Sequence, residues 1–105
     1  MILTTTPTIQ GHGIREYKGV VAGETIIGAN VLKDILANIR DVFGGRSSSY
    51  EKVLAEGREA AIREMEQRAR EMGANAVVGI HVDYGSVNQG TMLMVATTGT
   101  AVVIE

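Results

Sequence analysis

The chain has 105 residues and a mass of 11.2 kDa, room for one domain at about 100–200 residues each and not for two independent cores. Hydrophobic residues at 45% against 21% charged place it with globular proteins and away from disordered chains. Lys and Arg number 10 against 12 Asp and Glu, a net charge of −2 without the basic excess that neutralises phosphates, so nucleic acid is not an expected partner; the lack of cysteine removes disulfides, iron–sulfur clusters, thiolate zinc sites and cysteine nucleophiles together.

Ile2–Thr6 reads as a short strand that Pro7 ends or holds at a sheet edge, since proline brings no N–H to a ladder. No basic leader with an apolar run precedes it and no stretch is long and apolar enough to span a bilayer. The expectation is a soluble, cytoplasmic protein with no membrane partner. Residues 14–28 are rich in β-branched side chains and carry Gly19 and Gly23, the pattern of a strand with a bend or bulge.

From Asn30, a fitting N-cap, the period changes. Val31, Leu32, Ile35, Leu36, Ile39, Val42 and Phe43 fall on one helical face, and Gly44-Gly45 supplies a helix stop. Ser48-x-x-Glu51 has the spacing of a capping box. The helix it opens carries an apolar line through Tyr50, Val53, Leu54, Ala61, Ile62, Met65, Ala69 and Met72, with Glu59/Arg63, Glu64/Arg68 and Glu66/Arg70 at i,i+4, before Gly73 ends it.

The last third alternates. Ala76, Val78, Ile80, Val82 and Tyr84 point one way and Val77, Gly79, His81 and Asp83 the other; Gly85 to Gly90 reads as a turn. Met92 to Ile104 follows with neither face polar, the mark of a strand buried on both sides. The expected fold is a single α+β domain over residues 1–105, a bent antiparallel sheet with two helices on one face. In so small a chain the other face most economically meets another subunit, so a homo-oligomer is expected.

Residues along nearly the whole chain carry a family resemblance. Thr5-Thr6-Pro7-Thr8, Tyr17-Lys18-Gly19-Val20-Val21-Ala22-Gly23-Glu24, Gly28-Ala29-Asn30-Val31, Ile39-Arg40-Asp41-Val42-Phe43-Gly44-Gly45-Arg46-Ser47, Gly73-Ala74-Asn75-Ala76-Val77-Val78-Gly79-Ile80 and Met92-Leu93-Met94-Val95 occur in the order of the YbjQ-like family. The resemblance implies a dodecin-like α+β subunit, a ring-shaped homopentamer and a label of heavy-metal binding, with no reaction attached. Two departures bear on that label. Lys18 stands where relatives often carry cysteine, and an ammonium cannot ligate a metal while protonated. His81 stands where an acidic residue is common.

Among candidate sites, His81-x-Asp83 sets an imidazole and a carboxylate on one strand face, so a metal ion is the cofactor to weigh, with Glu24 or Tyr17 of a neighbouring strand as further ligands. The plainer reading is a His–Asp hydrogen bond at a strand end or interface. Met92-x-Met94 is either a soft thioether pair or core filling, and His12, between two glycines, is either a ligand or a solvated loop residue. Gly44, Gly45, Arg46 and Ser47 join backbone N–H groups at a helix start to a guanidinium and a hydroxyl, which suits a small anion; as structure alone they end one helix and begin the next, with Arg46 paired to Asp41 or to a neighbouring subunit. No nucleophile motif or apolar carboxylate pair points to catalysis. The reading is therefore a non-enzymatic, oligomeric binding protein for a metal ion or small anion at subunit interfaces, or else a structural ring without a small ligand.

Overall fold

The computed structural model describes residues 1–37, 42–43 and 46–105. In chain order it has β1 (Ile2–Leu3), β2 (Ile14–Ile27), α1 (Ala29–Ala37), β3 (Val42–Phe43), β4 (Arg46–Ser47), α2 (Ser48–Glu71), β5 (Ala76–Val87) and β6 (Met92–Ile104). The main sheet runs β1-β5-β6-β2. β6 pairs antiparallel with both β5 and β2, whereas β1 lies parallel to β5. The sheet is thus mixed and not wholly antiparallel. A parallel pair needs a long crossover, which everything between β1 and β5 supplies, and a two-residue strand has too little alternation to declare its direction.

α2 is held by a line of three small residues and one methionine. Gly57, Ala61, Met65 and Ala69 are buried at i,i+4 intervals on one face, and a Cβ on Gly23 of β2 would collide with the Ala61 carbonyl. Gly23 therefore marks a close helix–strand approach, while the bulge falls at Gly19, where φ is +127° and the β2–β6 register shifts. α2 ends in a Schellman turn: the Gly73 N–H donates to the Arg70 carbonyl and the Ala74 N–H to the Ala69 carbonyl, both at 3.0 Å, with Gly73 at φ +85°. Beneath the helix, Val21, Met65, Ala69, Ala74, Val77 and Ala101 form one cluster, and Ile27, Ala61 and Val95 a second. The buried Thr97 hydroxyl donates to the Met65 sulfur at 3.7 Å. α1 lies against α2 and β6.

Four readings of the sequence change. Val42 and Phe43 form β3, antiparallel to β4, and do not extend α1; β-branched and aromatic residues beside Gly-Gly suit a hairpin arm as well as a helix end. α1 begins one residue before Asn30, with the Gly28 carbonyl accepting from the Leu32 N–H at 3.1 Å. β5 continues through Gly85 to Val87, and the turn is confined to Asn88–Thr91, where Asn88, Gln89 and Gly90 have φ of 52°, 58° and 83°. The uniform alternation of β5 breaks at Gly79 (φ +62°), where the register shifts between Val78 and His81. Ala76 and Val78 pack with Val102 on the face away from α2; beyond the bulge, Ile80 and Val82 face the helix clusters and His81 and Asp83 come to the open side.

Candidate functional site

Directly opposed residues on neighbouring strands share a face, so the ladder defines the sheet surface that α2 leaves open. Glu24, Ala96 and Asp83 form one rung and Ala22, Thr98 and His81 the next. Ile26, Met94 and Gly85 continue it at one end and Val20 and Thr100 at the other. Beyond them Ile9, Ile14 and Ile104 pack over Ala76, Val78 and Val102 and close that end. The rest is open, with Tyr17 at 69%, Val20 at 80% and Ile26 at 52% exposure.

On this surface His81 Nε2 lies 3.0 Å from Asp83 Oδ1, both side chains well exposed. The proposed further ligands do not join them. Glu24 stands on the same rung as Asp83 but two strand spacings away, about 10 Å, and its carboxylate turns to Arg68 at 3.2 Å. Tyr17 is paired with Val102, four residues along β6 from the partner of His81. Among the described residues no group of three His, Asp or Glu gathers to hold a metal ion. Met92 and Met94 are half-buried on the open face, and His12 Nδ1 lies 2.8 Å from the Glu105 carbonyl oxygen, which ties the loop to the end of β6. Gly44 and Gly45 lie outside the described residues, and Arg46 and Ser47 enter only as the backbone of β4.

Two arrangements went unread in the sequence. Lys18 Nζ meets Glu16 at 3.0 Å, and its aliphatic end lies beside Gly73, at the C-terminus of α2, where the helix dipole favours a cation. Arg68 does more than pair along its helix: Nη2 holds Glu64 at 2.8 Å, while Nη1 donates to the Ala22 carbonyl at 2.8 Å and to Glu24. Glu64 in turn accepts from the Glu24 N–H at 3.3 Å. The i,i+4 spacing announced the pair; that it reaches over the outer edge of β2 depends on where the strand lies. A groove of about 380 Å³ also opens between α1 and the β5–β6 turn, lined by Ala29, Asn30, Leu32, Lys33, Gly90 and Thr91.

The family model described as "Putative heavy-metal-binding" matches residues 1–105. The chain belongs to the YbjQ family. A UPF0145 protein of Geobacillus kaustophilus is 58% identical over 102 residues, covering 97% of this YbjQ chain and 96% of that protein. A solved structure from Pediococcus pentosaceus, of unknown function and assigned to the DUF74 family, superposes on the YbjQ chain with a TM-score of 0.67 at 17% identity, covering 100% of it and 98% of the other. That likeness speaks to the fold. No helix among the described residues is long and apolar enough to cross a membrane.

Proposed function

We propose that the chain is a non-enzymatic homo-oligomeric binding protein, a ring of five by its family resemblance, whose open sheet face meets a neighbouring copy and whose ligand lies where copies join. The surface it exposes carries this reading. The chain presents 6655 Å² to solvent, against about 5,700 Å² for a compact monomer of its mass. Its radius of gyration is 16.5 Å, where a compact chain of this length has about 13 Å. An excess of about 1,000 Å² exceeds the roughly 800 Å² that each partner contributes to a stable interface, and Tyr17, Val20 and Ile26 stand exposed on the open face.

The family's heavy-metal label favours a cation as ligand, with His81 and Asp83 as two of its donors and the remainder supplied by a second copy. Gly44, Gly45, Arg46 and Ser47 are the alternative, anion-binding locus. A ring without a small ligand is the second reading; the mutual satisfaction of His81 and Asp83 and the cation at Lys18 favour it. Native mass spectrometry with elemental analysis tests all three. A ring with stoichiometric metal, lost in His81→Ala, supports the metal site, and a phosphate adduct lost in Arg46→Ala supports the anion locus. A ring that stays bare in both leaves assembly as the function, and a monomer at every concentration overturns the proposal.

A further inference from the structure

We propose that the outer edge of β5 from Val82 to Ser86 is an assembly surface, paired in solution with a strand of a second copy of this chain. The inference rests on the homo-oligomer reading and names the surface through which it is realised. Successive residues of an antiparallel strand turn both backbone groups alternately to one side and the other. The Ile80 N–H donates to the Thr4 carbonyl at 3.1 Å and so points away from β6. Val82, Tyr84 and Ser86 follow it in phase, each with an N–H and a C=O aimed outward.

The sheet treats its other edges differently. On β2 the outward groups of Ala22 and Glu24 are taken by Arg68 and Glu64 of α2, so charged side chains block strand addition there. The first half of β5 is covered by β1 and its continuation, where the Thr4 N–H meets the Val77 carbonyl at 3.0 Å and the Gly79 N–H the Thr6 carbonyl at 2.9 Å. From Val82 onward no described strand pairs with this side of β5. Nor does the segment carry the usual deterrents: residues 80–87 contain no Lys, Arg or Pro, and the side chains of His81 and Asp83 stand on the open face, bonded to each other. An edge of this length left bare is a template for pairing.

The occupant is a second copy, not a foreign extended peptide, because the surface to be covered extends beyond the edge. The open face begins at this strand and carries its exposed apolar residues across to β2. A lone peptide strand would satisfy the edge and leave most of the excess area in water. A whole subunit covers both.

Native-state amide exchange on the unmodified protein tests this directly, at a concentration where native mass spectrometry has established its assembly. The Val82, Tyr84 and Ser86 amides, without an acceptor among the described residues of their own chain, are expected to exchange at least 100-fold more slowly than unpaired amides. Oligomers in which these amides exchange within tenfold of the unpaired rate, while His81 and Asp83 are protected, overturn the edge pairing and leave the homo-oligomer standing. A protein that is monomeric throughout overturns both. Ser86→Pro supplies the second arm, since it removes an N–H that bonds nothing among the described residues. It is expected to dissociate the assembly with its circular dichroism intact; an assembled Ser86→Pro overturns the proposal.

Discussion

At Gln89 the backbone adopts a conformation that its side chain does not favour. With φ at 58° it sits in the left-handed region, which costs an ordinary L-residue on the order of 1 kcal/mol and an asparagine less. Gln89→Asn is therefore expected to raise stability by about 0.5 kcal/mol and Tm by a few degrees, read by thermal denaturation at fixed protein concentration. Gly23 presents the opposite case. Its missing Cβ is the space that the Ala61 carbonyl occupies, so Gly23→Ala must push α2 off the sheet, and a loss of about 3 kcal/mol or more is expected in urea titration. In the sequence Gly19 and Gly23 read alike as points of strand irregularity. Only the position of the helix tells them apart, and helix placement is not written in the strand's own pattern.

At the scale of elements, legibility followed the amount of periodic surface each presents. β2, β6 and α2 bury one face along 13 residues or more, and their hydrophobic repeats place them within a residue or two. β1 and β3 have two residues each; their pairing is decided by neighbours distant in sequence. The expected His81–Asp83 contact was readable because residues two apart on a strand share a face, within reach of an imidazole and a carboxylate. The absence of Glu24 from it was not, because that required knowing that Arg68 reaches the same carboxylate. Arg68→Ala should lower monomer stability by less than about 1 kcal/mol, as its ion pairs are half exposed, yet uncover the Ala22 carbonyl on the β2 edge. The expected result is a small shift in Tm with a clear rise in higher-order species by light scattering. Gly73→Ala, at φ +85° in the Schellman turn, should cost about 1 kcal/mol through backbone strain alone.

For the molecule as a whole, a long hairpin and a long helix lie side by side, giving extents of 51 × 28 × 17 Å. A slab this thin has one layer of helix on one layer of sheet and, among the described residues, no second layer over the rest of the open face. If assembly provides that cover, Tm rises with protein concentration, because association shifts unfolding by mass action. Scanning calorimetry over a hundredfold concentration range should show a rise of several degrees; an unchanged Tm would count against it.

The bulge at Gly79 has a genetic counterpart in a shifted reading frame. One extra residue in the ladder exchanges the two side-chain sets for the remainder of β5. Deleting Gly79 would remove the extra residue and leave Ile80 and Val82 beneath α2 and His81 and Asp83 on the open face, whereas inserting one further codon after it would turn the strand inside out downstream, sending His81 and Asp83 beneath α2 and Val82 into water. A change that leaves every chemically interesting residue in the chain would thereby remove the pair from the surface, with the added burden of a carboxylate in the apolar layer.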